Sequence, residues 1–218
     1  MKSSLFATLL LPPLALSTPP NTNTKRDDTW GGSVSLGPTK STITKAVTTL
    51  IPGAAPATQN GVLFLWPGMS NGTGDLIQST LESWESNDWC GAASGEWCVR
   101  ASVFGSFGQL DGDPGVVGGD DQVEILYELQ SDQETWVHYG TGTECNEGCT
   151  GTSEEQKYIN TEITLASADT TFGDTIASAG SASVGGNAGS RIHGGVEIVE
   201  VRGVTRGAVS VNVMDDVQ

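Results

Sequence analysis

QVEILYELQ, residues 122–130, is the stretch of this 218-residue chain that decides its fold. Apolar and polar side chains alternate along it, with Leu126 as the exception. The apolar positions are Val123, Ile125, Tyr127 and Leu129, and the polar positions are Gln122, Glu124, Glu128 and Gln130. Successive side chains of a strand point to opposite faces, so this alternation predicts a strand with one packed face and one wet face.

Other segments on both sides of this stretch also favour strands. Each shows alternation or enrichment in β-branched residues, and the first is an apolar run closed by the turn signal Pro67-Gly68. These segments are 62–66, 99–104, 135–139, 158–165, 196–201 and 209–213. The spacing in 75–84 is compatible with a short helix or a strand, and the small, glycine-rich segment 170–189 predicts a surface loop or an insertion.

Seven or more short strands in one chain of this length predict an all-β fold, an antiparallel β-sandwich or jelly roll. The 29 glycines and the many Ser and Thr residues disfavour long helices. A parallel α/β fold needs periodic helices between its strands, and the sequence shows none. No glycine-rich phosphate loop stands between a strand and a helix, so nucleotide binding has no support.

The N-terminus has the pattern of a secretory signal peptide. Lys2 precedes a short apolar run from Leu5 to Leu16, and small residues precede a cleavage site after Ser17. A polar leader, residues 18–26, then ends in the dibasic pair Lys25-Arg26, a site for processing. We expect a signal peptide at 1–17, a leader at 18–26 and a single β-sandwich domain at 27–218, in a protein that is secreted or enters a secretory lumen.

The charge of the chain excludes several classes of partner. The formal net charge is −16, with 26 acidic residues against 10 Lys and Arg. Nucleic acids and anionic membranes bind through Lys and Arg clusters, which such a chain cannot supply. We therefore expect neither nucleic acid nor a membrane as a partner, and we assign the charge to solubility.

The four cysteines predict two disulfides, because their number is even and the export route is oxidising. Three pairings are possible. Local pairing of Cys90 with Cys98 and of Cys145 with Cys149 is favoured, since both pairs lie in polar, glycine-rich loops where a short ring can close. A zinc site is the weaker alternative because the chain holds only His138 and His193 beside them.

Asn71 begins the chain's only N-glycosylation sequon, Asn71-Gly72-Thr73. A glycan there would place this loop at the surface, and we expect Asn71 to be glycosylated.

Three segments carry a resemblance to a known group of proteins. They run from Leu63 through the sequon to Gln78, from Glu144 through Cys149 to Thr152, and from Tyr158 to Ile163. Together they resemble small secreted fungal proteins with a concanavalin-like β-sandwich, and the resemblance covers most of 30–175. Residues 185–218 depart from that group.

The resemblance extends to the hetero-Diels-Alderases of tropolone-sesquiterpenoid biosynthesis, of the eupenifeldin type. It implies a secondary-metabolite enzyme that joins a tropolone quinone methide to a macrocyclic sesquiterpene of the humulene type. Such a cycloaddition needs no metal and no cofactor, only apolar small-molecule partners held in register and a donor on the carbonyl oxygen. We expect no cofactor for that reason.

Candidate site residues follow from strand faces, not from a family motif. Aromatic side chains that can line a pocket are expected from Trp66, Tyr127 and Trp136. Gln78, His138 and Tyr139 are the expected hydrogen-bond donors, and His138 is placed on the strand face of Trp136. Ordinary core packing is the competing interpretation for each aromatic residue.

A second class of function remains open, a secreted carbohydrate-active protein on the same sandwich. Glu124 and Glu128 share a strand face and could flank a glycosidic bond, as in a glycan hydrolase, although acids opposite an apolar face are more often only its wet side. A lyase or a lectin belongs to the same alternative. A non-catalytic surface protein is the third.

Overall fold

The computed structural model describes residues 29–129 and 135–184, together with the backbone of three strands at 189–193, 196–201 and 208–214. The predicted signal peptide and leader lie outside the described residues. The described chain forms fourteen strands and two short 3-10 helices, Asp88–Cys90 and Phe172–Thr175. The strands are β1 Thr29–Leu36, β2 Ile43–Ile51, β3 Val62–Ser70, β4 Leu76–Ser83, β5 Trp97–Gly105, β6 Gly108–Asp111, β7 Gly115–Val117, β8 Gln122–Glu128, β9 His138–Asn146, β10 Lys157–Leu165, β11 Ala177–Ala179, β12 Gly189–His193, β13 Val196–Val201 and β14 Ala208–Met214.

The strands form two sheets packed as a sandwich, which confirms the predicted all-β class. The eight-stranded sheet has the order β11-β1-β9-β3-β4-β5-β6, with β7 also paired to β5. The six-stranded sheet has the order β12-β13-β10-β2-β8-β14. Neighbouring strands are antiparallel except β8 and β14, which run parallel.

The core lies between the sheets and follows the alternation of the sequence. On β8, Val123, Ile125 and Tyr127 are fully buried, while Glu124 and Glu128 are exposed. Gln122 was expected on the wet face, but it is buried at the start of the strand. Burying aliphatic side chains from both sheets is the main stabilising contribution to such a fold, at about 25 cal/mol per Å² of apolar surface.

Strand β3 continues through Pro67-Gly68, where the sequence predicted a turn, and ends at Ser70. The strand lies between β9 and β4, and its pairing with β4 skips Trp66 and Pro67 before resuming at Gly68. Proline has no N–H to give to a ladder, so the strand tolerates it where that ladder is open. The Pro67 carbonyl instead accepts a hydrogen bond of 2.8 Å from the Tyr127 hydroxyl, which links the two sheets.

Three other predictions are decided by the structure. The undecided segment 75–84 holds strand β4. The predicted strand at 135–139 is wrong in part, because β9 begins at His138. Trp136 lies in the connection before it, bonded through its backbone to Ile43 and to the Thr42 side chain. The described part of the segment 170–189 is not only a surface loop, because Phe172 is buried in the core and β11 pairs with β1.

Both disulfides have the predicted local pairing, Cys90 with Cys98 and Cys145 with Cys149. The first joins the 3-10 helix at 88–90 to β5, and the second closes the turn after β9. Such short rings contribute about 2 kcal/mol each in the chain-entropy account of disulfide stabilisation. Two disulfides indicate an oxidising environment for this protein.

Candidate functional site

A cleft of about 690 Å³ opens between the two sheets. Its walls are β1 and β9 of the eight-stranded sheet and β10 of the six-stranded sheet, with the segments 153–156 and 181–184 at its mouth. The β1 part of the wall begins with Gly31, Gly32 and Ser33. The volume lies within the range of about 300–1,000 Å³ that is typical of small-molecule sites.

A bulge in β10 decides which residues of that strand can face the interior. The register between β10 and β2 shifts by one residue between Ile159 and Glu162, and Asn160 there has a φ of 54°. Tyr158 pairs with Leu50, which is fully buried, while Ile163 pairs with the buried Ala46 beyond the bulge. Paired residues lie on the same face, so the bulge brings Tyr158 to the face that Ile163 also occupies.

All three tyrosines of the chain, Tyr127, Tyr139 and Tyr158, place their hydroxyls between the sheets. Tyr139 and Tyr158 line the cleft, and neither buried hydroxyl makes a hydrogen bond of ordinary geometry within the part of the chain that the structure describes. The side chain of Tyr139 is only 3% exposed. An unpaired buried hydroxyl costs free energy, so these two oxygens are the atoms of the cleft most in need of a partner.

Burial keeps these phenols protonated. It raises the pKa of Tyr139 to about 12, although the hydroxyls of Thr48 and Thr161 lie near enough to stabilise the phenolate and lower this pKa by a smaller amount. The pKa of Tyr158 is also well above its usual value, first through burial and then through the neighbouring Tyr139 and Tyr127, against a smaller lowering by the Trp66 backbone. Thr48 and Thr161 are hydrogen-bonded to each other at 2.7 Å. At neutral pH both cleft tyrosines are therefore neutral groups that can donate a hydrogen bond.

The mouth of the cleft is polar and acidic. Glu154 and Glu155 are exposed there, and Lys157 lies 3.3 Å from Glu155. Gln156 holds the segment in place, because it accepts a hydrogen bond from Thr143 of β9 and donates one to Ser153. An acidic mouth repels anions and admits neutral or cationic molecules.

The structure brings only one of the six predicted site residues to this cleft, Tyr139. Tyr127 and Trp136 are buried in the core beside it. Trp66, Gln78 and His138 lie on the outer face of the eight-stranded sheet, since Leu65, Met69 and Ile77 take the inner positions of the same strands. His138 pairs with Ser70, and Gln78 pairs with Gly68. It follows that Gln78 and His138 are separated from Tyr139 by the sheet itself.

Trp66 lies over Gly140 and Gly142 of β9 on that outer face. A Cβ atom on Gly142 would stand 2.8 Å from Cζ2 of Trp66, so the indole lies directly against the β9 backbone. Trp30, 64% exposed, meets Trp66 edge-on with ring centres 6.2 Å apart. Trp66 thus forms a surface aromatic pair and no wall of the cleft.

A second polar cluster lies on β4 and β5 and is fully paired. Glu82, fully buried, accepts two hydrogen bonds from Arg100 at 2.7 and 3.0 Å. It also accepts bonds from the Thr80 hydroxyl and the Trp84 indole N–H, each 2.8 Å long. Asp111 pairs with Arg100 at 3.0 Å. With every group satisfied, this cluster stabilises the fold and offers no unpaired atom to a ligand.

The acidic residues of the carbohydrate alternative are also placed. Glu124 and Glu128 are exposed on the outer face of the six-stranded sheet, while their neighbours Ile125 and Tyr127 point to the core. They lie on the far side of that sheet from the cleft. This is the wet side that their alternation with an apolar face indicates.

Asn71 is half-buried at the start of the loop between β3 and β4. Its amide oxygen accepts bonds from the backbone N–H groups of Thr73 and Asp75, and its amide nitrogen donates to the Asp75 carboxylate. Thr73 is exposed. Glycosylation of Asn71 stays a prediction.

Sequence reasoning missed Tyr158 and Thr161 as cleft residues. In a regular strand Tyr158 would share the wet face of Glu162, and only the bulge changes this. The one available signal was Asn160, since Asn adopts a positive φ more readily than most residues.

The described residues hold no group of three or more His, Cys, Asp or Glu side chains suited to a metal ion. Within the same residues, no helix has the length and apolar character needed to cross a membrane.

Comparisons with known proteins gave matches in structure only. No family model matches the chain, and no curated protein matches it. One similar solved structure is scytalidoglutamic peptidase with a peptide-based transition-state analogue. It has 11% identity and a TM-score of 0.48, and the match covers 81% of this chain and 99% of the peptidase. Another is SCP-B, a member of the eqolisin family of peptidases, in complex with the tripeptide Ala-Ile-His. Its identity is 9% and its TM-score 0.29, with the same coverage of 81% and 99%. With both TM-scores below 0.5, no activity is carried over from these peptidases.

Proposed function

We propose that this protein is a cofactor-independent hetero-Diels-Alderase that joins a tropolone quinone methide to a macrocyclic sesquiterpene of the humulene type inside the cleft. The observation that carries the proposal is the Tyr139 hydroxyl, buried and without a partner in the described chain, on the wall of a cleft of small-molecule size. Tyr139 is also one of the donors expected from the sequence. Gln78 and His138 lie on the other side of the sheet, so the proposal assigns donation to Tyr139 alone among the three.

The reaction makes modest chemical demands. The four-atom heterodiene of the quinone methide adds to one alkene of the sesquiterpene, and one C–C bond and one C–O bond form as two π bonds are consumed. No proton, electron pair or leaving group is transferred to the protein. Holding both partners in register supplies effective molarities of about 10⁵–10⁸ M in well-oriented cases. A donor on the carbonyl oxygen stabilises the negative charge that grows there in the transition state.

The test is a reaction of purified protein with a quinone methide precursor and a hydroxylated humulene. We expect a single dihydropyran stereoisomer, and we expect Tyr139→Phe to lower the rate by about 10- to 1000-fold, the scale of one lost preorganised donor. Glu124→Gln and Glu128→Gln, on the outer face of the other sheet, serve as controls and are expected to react like the wild type. The proposal fails if the product forms as the uncatalysed mixture. Glycan cleavage that depends on the two glutamates would support the carbohydrate-active alternative instead.

A further inference from the structure

We propose that Tyr139 and Tyr158 form a two-donor site that binds a single carbonyl oxygen of a neutral, conjugated ligand in the cleft. The ligand class deepens the proposed function, on which it rests for the identity of the heterodiene. Tyr139 belongs to β9 of one sheet and Tyr158 to β10 of the other. A molecule that enters between the sheets therefore meets one phenol from each side.

The two hydroxyls share a property that the third tyrosine lacks. Tyr127 is fully buried, but its hydroxyl donates to the Pro67 carbonyl at 2.8 Å. Tyr139 and Tyr158 both line the same cleft, and neither donates a hydrogen bond of ordinary geometry to an acceptor within the described residues. Two unpaired donors in one cleft match an acceptor with two lone pairs, and a carbonyl oxygen is such an acceptor.

The charges around the site favour a neutral ligand. Among the described residues that line the cleft, Lys157 is the only cationic one, and its ammonium nitrogen lies 3.3 Å from a carboxylate oxygen of Glu155, with Glu154 nearby. A carboxylate or phosphate would pass two acids at the mouth and find neutral phenols inside. A neutral carbonyl compound loses little on leaving water and gains two hydrogen bonds.

The bulge in β10 is part of the site. Without the extra residue at Asn160, the pairing of Tyr158 with inward-facing Leu50 could not coexist with the pairing of Ile163 with Ala46. Strand bulges often re-aim a side chain next to a binding site. The bulge here positions the second donor.

The experiment uses β-ionone, a neutral isoprenoid enone, with a ¹³C-labelled carbonyl, added to the full chain. Infrared difference spectra report the carbonyl stretching frequency, and calorimetry reports the Kd. We expect the bound carbonyl frequency to lie below its value in an apolar solvent. It should rise part of the way in Tyr139→Phe and in Tyr158→Phe, and fully in the double variant. Each single variant should weaken binding about fivefold, the scale of one neutral hydrogen bond.

Tyr127→Phe is the matched control, because it removes the same atom from a core tyrosine that does not line the cleft. We expect it to leave the carbonyl frequency unchanged, and circular dichroism checks that every variant is folded. The analogue of β-ionone without its carbonyl should bind the wild type and all four variants alike. Any of three results would overturn the two-donor site. They are a carbonyl frequency that changes only in Tyr139→Phe, an equal change of the frequency in Tyr127→Phe, and an absence of binding.

The outcomes separate this inference from the proposed reaction. Tyrosine-dependent carbonyl shifts without cycloaddition would support the site and refute the reaction. Cycloaddition that proceeds at the wild-type rate in Tyr158→Phe would support the reaction and overturn the two-donor site.

Discussion

The three tyrosines of this molecule place the same side chain in two kinds of surroundings. Tyr127 joins the two sheets through Pro67, while Tyr139 and Tyr158 end at the cleft without an acceptor in the described chain. A buried hydroxyl that is hydrogen-bonded contributes about 1 kcal/mol to stability, whereas an unpaired one costs about 1–3 kcal/mol. The same atom therefore stabilises the fold at one position and prepares a binding site at the other two.

The raised pKa values predict how the protein responds to alkali. Tyr139 has a pKa of about 12 in the folded state against 10.0 for an ordinary tyrosine, and the pKa values of Tyr127 and Tyr158 are raised as well. A group whose pKa is raised on folding contributes stability below its unfolded pKa and loses it as the pH passes through the folded value. We expect stability to fall from about pH 10 upward.

Tyrosinate absorbance measures this directly, because the chain has only three tyrosines. At pH 11 the folded protein should show almost no tyrosinate, and the full signal should develop on addition of denaturant. A tyrosine that ionises near pH 10 in the folded protein would contradict the buried placement of these three hydroxyls.

At the scale of the element, β10 shows how one residue changes a strand. Asn160 has a positive φ in the middle of β10, and β10 lies between β2 and β13 in its sheet. The left-handed conformation of Asn160 lets β10 accommodate one extra residue. The strand then keeps its pairing with β2 before and after the bulge.

Substitution of Asn160 tests this geometry. A β-branched residue is strained at positive φ, so Asn160→Val should lower the free energy of unfolding by about 1–2 kcal/mol. Asn160→Gly is the control and should remain within about 0.5 kcal/mol of the wild type, since glycine adopts this conformation without strain. Urea unfolding measures both. Equal stabilities of the Val and Gly variants would show that the bulge is not a constraint.

At the scale of the whole molecule, the dominant property is the net charge of −16. Most acidic side chains of the described residues lie at the surface, where they repel one another, while Glu82 is buried and paired with Arg100. Repulsion between surface charges is screened by salt, whereas a buried pair is screened far less.

Salt should therefore stabilise this protein near neutral pH. We expect the Tm at pH 7 to rise when NaCl increases from about 0.01 to 0.5 M, over which the Debye length falls from about 30 Å to a few ångströms. Near the sequence pI of about 4.2 the repulsion is largely neutralised, and the same addition of salt should have little effect on Tm. A Tm that falls with salt at pH 7 would mean that attractive surface pairs outweigh the repulsion.

The sequence by itself determined the all-β class, the inward face of β8 and the local pairing of the cysteines. Each rests on local physics. Alternation with a period of two separates the faces of a strand, and short rings close at a low entropic cost. The sequence also predicted Tyr139 as a donor, but the other five predicted site residues do not line the cleft.

Only the tertiary structure decided where the cleft lies and which residues reach it. The continuation of β3 through Pro67 depends on the open ladder to β4, and the inward turn of Tyr158 depends on the bulge opposite Val47 and Thr49. Trp66, Tyr127 and Trp136 are all aromatic residues of predicted strands. Trp66 nevertheless lies on an outer face, whereas Tyr127 and Trp136 lie in the core. The physical reason is that a shift of one residue in the pairing of two strands exchanges the faces of every side chain beyond it, and that pairing is set by contacts between residues distant in sequence.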